Sequence, residues 1–230
     1  MKQRHIIRSV LFFMCIATLP AGDIASFVNL GFSTDSRFYM FGQYGIDSAS
    51  SEAYGELYLV DVAKNEFAPG GAITKTYPMK LEPGQTGSGA LLNLLSEHNE
   101  LVKRNRIDHL RQGRFLYILV NGEPPKSELE FRDFVSGLTY RVNLIQSSLG
   151  SGNGVRASFY IQLSILDTSG RIKAYTVGLP NFMREGVRQY RIKQILLSPD
   201  ERSLVFVIEK ETGRQQDASI RYMVETVTIQ

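Results

Sequence analysis

Cysteine is nearly missing from this sequence, and its one copy, Cys15, falls within an apolar stretch close to the N-terminus. A chain that loses that stretch keeps no thiol. Disulfides, cysteine nucleophiles and cysteine metal ligands are then excluded, and stability has to come from a packed core. Histidine is scarce, with His5, His98 and His109 the whole supply, and tryptophan is absent. Excess charge is missing as well. Lys plus Arg number 26 against 23 Asp plus Glu, and Lys2, Arg4 and Arg8 account for the entire surplus. A neutral chain lacks the clustered positive charge that nucleic acid or an anionic membrane requires, so neither is expected as a partner. No apolar run reaches the ~20 residues of a spanning helix.

What the N-terminus does have is the grammar of export. Lys2, Arg4 and Arg8 precede an apolar run from Val10 to Leu19, followed by Pro20, Ala21 and Gly22. Residues 1–22 are therefore expected to be a signal peptide, cleaved after Ala21 or Gly22. A lipid anchor on Cys15 would want a small residue before it and polar chain after it. Met14 and Ile16 stand there instead. The expected location is exported, periplasmic or secreted, with no stable membrane insertion after cleavage. Residues 23–230 are long enough for one domain.

Aromatic and β-branched segments alternate with Gly, Ser, Asp and Pro breaks along most of this length, the pattern of hairpins. Strands are expected at Phe27–Phe32, Phe38–Tyr44, Leu57–Val62, Ile73–Tyr77, Phe115–Asn121, Leu129–Phe134, Leu138–Ile145, Ala157–Leu166, Ile172–Val177, Arg191–Leu197, Leu204–Glu209 and Ile220–Ile229. The unbroken apolar run at Phe115–Asn121 suggests burial on both faces. Between about 90 and 111 the period changes. Leu91, Leu94, Leu95, His98 and Val102 form one helical stripe, which predicts a single amphipathic helix packed on the sheet. The cations at Lys103, Arg104, Arg106, Arg111 and Arg114 read as a solvated face near its C-terminus.

One phrase occurs twice. Leu30-Gly31-Phe32-Ser33-Thr34-Asp35-Ser36-Arg37-Phe38 and Ile195-Leu196-Leu197-Ser198-Pro199-Asp200-Glu201-Arg202-Ser203 both close a strand with Ser, turn through Asp and leave as a strand. Ser and Asp side chains bond turn amides, and Pro presets φ. Both phrases resemble the turn of TolB-type propeller repeats, with Ser36 and Glu201 standing where those repeats carry Gly. Glu56–Asp61 and Ile161–Gly170 resemble the strand and turn that follow in such blades. The resemblance implies blade-like units at about 24–80, 114–180 and 186–230. These are too few for a closed propeller, which typically needs four or more blades. The expected fold is thus mainly β (α+β), antiparallel and blade-like, with one packed helix and no closed propeller. Through Asp23–Phe27, Leu30–Ser33 and Phe41–Gly45 the chain also resembles a family of predicted secreted bacterial proteins without an assigned activity. That resemblance implies export but no site residues.

Chemistry is thinly marked. Gly84-Gln85-Thr86-Gly87-Ser88-Gly89 precedes the helix as a phosphate loop would, but Ala90 and Leu91 stand where a Lys and a hydroxyl are needed. His98, on the Leu stripe, reads as a packed histidine. His98 and His109, about three turns apart on one helix, cannot share a metal. No Gly-x-Ser-x-Gly elbow occurs. Glu52, Glu56, Asp61, Asp133 and Asp167 could supply a carboxylate pair, with nothing in their spacing to select one. No cofactor or metal is expected. The reading is an exported, non-enzymatic module that binds an envelope protein or a small envelope ligand. Its contacts are expected in the loops Gly45–Gly55, Pro83–Gly89 and Ser147–Gly154, through Tyr44, Asp47, Tyr54, Gln85, Thr86 and Asn153. The alternative is a secreted hydrolase acting on an envelope polymer. Unclosed sheet edges allow self-association.

Overall fold

The computed structural model describes residues 23–82, 84–120, 122–213 and 218–229, with the side chains of Lys80 and Asn153 outside the description. The signal peptide expected over residues 1–22 therefore lies outside the described residues. Three antiparallel sheets account for most of the chain. The first is a meander of β1 (Ser26–Ser33), β2 (Phe38–Ile46), β3 (Glu52–Asp61) and β4 (Glu66–Lys80), with short β5 (Ile107–Asp108) against the β1 edge. The strand β6 (Arg114–Ile118) belongs elsewhere. A second meander follows, β7 (Glu128–Arg132), β8 (Thr139–Leu149), β9 (Arg156–Leu166) and β10 (Ile172–Val177), and the two-residue β11 (Arg184–Glu185) pairs with β9. The third sheet joins β12 (Val187–Leu197), β13 (Ser203–Thr212) and β14 (Ser219–Thr228), with β6 beside β12. Among the described residues no sheet closes on itself.

Strand periodicity explains how the sheets stack, because successive side chains point to opposite faces. In β13, Leu204, Phe206 and Ile208 join the core formed by Phe159, Ile161 and Leu163 of the second sheet. Val205 and Val207 instead join Phe32, Tyr39, Phe41 and Val60 of the first. The third sheet is thus the middle layer. The outer face of the first sheet packs Met40, Leu57 and Leu59 on Leu94, Leu101 and Val102 of the helical segment. The order through the molecule is helices, first sheet, third sheet, second sheet.

Three expectations need correction. The helix expected over about 90–111 is two short helices, α1 (Ser88–Glu97) and α2 (Asn99–Arg104). His98 leaves helical dihedrals at φ −113° and ψ 26°, with its amide still bonded to Leu94 O at 3.1 Å. Arg106 then turns the chain at φ 50° so that Ile107–Asp108 can pair with β1. The stripe still packs, because a break of one residue leaves Leu91, Leu94 and Val102 all buried. The unit expected at 114–180 loses its first strand, since β6 pairs with β12 and completes the third sheet. Phe115–Asn121 was expected to be buried on both faces, yet β6 is an edge strand with Phe115 43 % and Ile118 46 % exposed. Its apolar run reflects one packed face, with Leu116 and Tyr117 against the core between the second and third sheets, and Leu119, which is buried.

Candidate functional site

The two ends of the sheet stack differ in character. At one end lie the repeated turns, and their chemistry is duplicated atom for atom. Ser33 Oγ donates to Asp35 Oδ1 at 2.6 Å and accepts from Phe38 N at 2.9 Å, while Ser36 N bonds Ser33 O at 2.9 Å. Ser198 Oγ donates to Asp200 Oδ1 at 2.6 Å and accepts from Ser203 N at 2.9 Å, while Glu201 N bonds Ser198 O at 2.9 Å. Ser36 and Glu201 both sit at φ 59°, the left-handed region that favours glycine. In both turns the Ser and Asp side chains are spent on holding the two strands together.

The candidate loops gather at the opposite end. Two glutamines mark it. Gln43 of β2 accepts from Tyr222 N at 2.7 Å and donates to Tyr222 O at 3.3 Å. Gln146 of β8 does the same to Tyr190, at 2.9 and 3.2 Å. Tyr222 pairs with Glu209 and Tyr190 with Lys210, so both amides meet the third sheet at one end of β13. Each satisfies main-chain groups beyond the reach of the next strand and ties an outer sheet to the middle one. The β2–β3 turn and the Ser147–Gly154 loop therefore share this end. The connection before α1 joins them, for Gly87 packs so close to Gly45 that a Cβ would lie 2.4 Å from Gly45 O.

The residues expected to make contacts fare unequally. Tyr54 is 4 % exposed and donates to Asp23 Oδ1 at 2.9 Å, and burial pushes its hydroxyl pKa well above the usual range. The Arg221 guanidinium lies 4.5 Å over its ring and pairs with the Asp23 carboxylate. Tyr54 is therefore a core residue, anchoring the start of the described chain to β14. Tyr44 is half-buried between Ser26 and Gly55 in the ladder. Asp47 closes its own turn, accepting from Ala49 N and from Ser50 N and Oγ, and the Ser50 bonds hold its carboxyl below the usual range. Gln85 and Thr86 are exposed, with Gln85 Oε1 taking Glu82 N and Thr86 Oγ1 at 2.8 Å from Ser88 Oγ. Asn153 lies in a 3-10 turn, Gly152–Gly154, with its side chain outside the description.

Both histidines and four of the five carboxylates weighed for catalysis, Glu56, Asp61, Asp133 and Asp167, are engaged in holding the fold. His98 Nδ1 lies 3.0 Å from Leu94 O, and His109 Nδ1 lies 2.7 Å from Leu30 O. The two stand on separate segments, not on one helix as expected. Glu56 takes Gln43 and the Tyr58 hydroxyl, and Asp61 takes Arg37. Asp133 receives Arg114 through both guanidinium nitrogens, at 2.7 and 2.9 Å, and Asp167 closes its turn with Ser169 and Arg171. Among the described residues no three His, Cys, Asp or Glu converge as metal ligands would.

A concavity opens at the loop end. It has a volume of about 600 Å³ and lies between the Ser147–Gly154 loop and the third sheet. Gln146, Ser148, Gly150, Ser151 and Val155 line one side, and Arg188, Gln189, Glu211 and Gly213 the other. Its volume falls in the range of small-ligand sites. The Gly-rich loop was visible in the sequence. Arg188 was not, because its place depends on a bulge in β12, where the register passes from Val187↔Thr212 to Gln189↔Glu211 and skips it. Bulges redirect side chains in this way. Among the described residues, no helix is long and apolar enough to cross a membrane. A family model described as "Predicted secreted protein (DUF2259)" matches residues 40–228. No curated protein and no solved structure matches the chain.

Proposed function

We propose a function from one premise, that the chain belongs to the family of predicted secreted proteins: it is a non-enzymatic binding protein of the cell envelope that holds a small ligand at the loop end of its sheet stack. The periplasm, or the envelope facing it, is the proposed site of action. One observation carries this reading, the cleft between the Ser147–Gly154 loop and β12, which is open to solvent and walled by two different sheets. Its floor is held by the Gln146 amide on Tyr190, so the cleft is framed by rigid strands while its rim is a glycine-rich loop. The engagement of both histidines and of Glu56, Asp61, Asp133 and Asp167 in structural bonds favours binding over hydrolysis.

The test is a thermal-shift screen of the exported chain against peptidoglycan fragments, simple saccharides, dicarboxylates and phosphate, with turnover of each polymer followed in parallel. A bound ligand at 100 times its Kd stabilises by about 2.7 kcal/mol, a readable shift. Stabilisation that disappears in Ser148→Trp, which fills the cleft, is the expected result. Release of product from an envelope polymer would overturn the reading in favour of a hydrolase.

A further inference from the structure

The cleft has an electrostatic asymmetry. Arg188, the residue left out of the β12–β13 register, lines it with a side chain 29 % exposed. Its one ion-pair partner among the described residues is Glu211, with Arg188 Nη1 3.8 Å from Glu211 Oε1. That carboxylate is already bound by Arg191, whose Nη2 lies 2.7 Å from Oε2. One carboxylate between two guanidiniums leaves a net positive charge. Moreover, Arg188 Nη1 and Arg191 Nε are buried with no hydrogen-bond acceptor among the described residues. Buried donors are almost always paired, so the unpaired Arg188 Nη1, on a side chain that lines the cleft, points to an acceptor supplied from outside.

We infer that this cleft takes a small oxyanion, a carboxylate or phosphate group, with Arg188 as the anchoring cation and Ser148, Ser151 and Gln189 as neutral polar contacts. The inference rests on the reading of the cleft as a binding site. A guanidinium is always charged and presents a planar fork of donors that matches both groups. Apart from the Glu211 carboxylate and Val155 the remaining lining is neutral and polar, which suits a small hydrophilic anion better than a lipid chain. Glu211, lying between Arg188 and Arg191, offsets their mutual repulsion.

Calorimetric titration of the exported chain with inorganic phosphate and, separately, with succinate tests this, alongside amide chemical-shift mapping with both anions and with glucose. The expected result is binding of one anion, with shifts at residues 147–155, that weakens at least tenfold in Arg188→Gln and weakens with added chloride. Lys173→Gln, an equal loss of charge on exposed β10, should leave the affinity unchanged. If Arg188→Gln fails to fold, Arg188→Lys decides, because it keeps the charge and removes the fork. A several-fold loss of affinity at an unchanged melting temperature supports the assignment, and equal affinity overturns it. Shifts at the loop with glucose but with neither anion would overturn the oxyanion while leaving the binding function standing. Silence at the loop from every probe would overturn both.

Discussion

Removing the side chain of Ser36 should make the protein more stable. Ser36 sits at φ 59°, and a Cβ in that region costs roughly 1–2 kcal/mol. It is also 4 % exposed, and its Oγ is buried without a hydrogen-bond partner, an omission that costs about 1–3 kcal/mol. Against these stands the greater freedom of glycine in the unfolded chain, roughly 0.5–1 kcal/mol. The amide bond to Ser33 O survives, since it uses main chain only. Ser36→Gly should therefore gain about 1–2 kcal/mol. Glu201→Gly relieves the same backbone strain at the duplicated turn, but Glu201 is solvated, with only a 3.7 Å contact to Arg114. It should gain about 0.5 kcal/mol, since an exposed pair contributes ~0–1 kcal/mol. Urea unfolding followed by far-UV circular dichroism suits a chain without tryptophan. For a domain of this size each kcal/mol corresponds to about 2–4 °C in Tm. A destabilised Ser36→Gly, or a Glu201→Gly gain exceeding it, would refute the argument that the buried, unpartnered hydroxyl adds to the strain.

Gly31→Ala should be severely destabilising, by about 3 kcal/mol or more, because the residue sits at φ 94° in the β1 bulge and its new Cβ would meet Asp108 O at 2.4 Å. Hydrogen exchange at Ile107 and Asp108 should accelerate first, as β5 is the element that has to move. Asp133→Asn should lose about 3 kcal/mol near neutral pH, since it leaves Arg114 opposite a neutral amide where a nearly inaccessible carboxylate was. The Arg114 hydrogen bonds, with help from Ser136, hold the Asp133 carboxyl well below its ordinary range. Its stabilising contribution is thus complete above the unfolded value of about 3.9 and is lost as pH falls toward the folded one. The gap between wild type and Asp133→Asn should narrow steadily below about pH 4 in acid titrations of stability. A gap independent of pH would show that the carboxylate charge is not what Arg114 holds.

Much of the framework was readable from local pattern. The duplicated Ser-x-Asp phrases announced two like turns, because their hydrogen bonds join residues within five positions of one another, and local chemistry is written locally. The strands followed from apolar alternation, and the loop at Ser147–Gly154 from its glycines. The limits were equally physical. Tyr54 stands in a Gly- and Ser-rich stretch that looked exposed, yet its hydroxyl bonds Asp23, 31 positions away, and Asp23 pairs with Arg221, 198 positions away. The turn at Arg106 that brings Ile107 to the β1 edge likewise serves a long-range pairing, which no helical propensity encodes.

By itself, then, the sequence determined an exported-looking, cysteine-poor β chain with two matched hairpin turns, since compartment signals and turn chemistry are properties of contiguous residues. The tertiary structure alone decided that β6 would leave its neighbours to complete the third sheet, and that this sheet would be buried between the other two. It alone brought Arg188, Glu211 and Ser148 around one cleft. Register and bulges decide which side chains converge, and they are set by how faces pack across layers, over separations that no local pattern records.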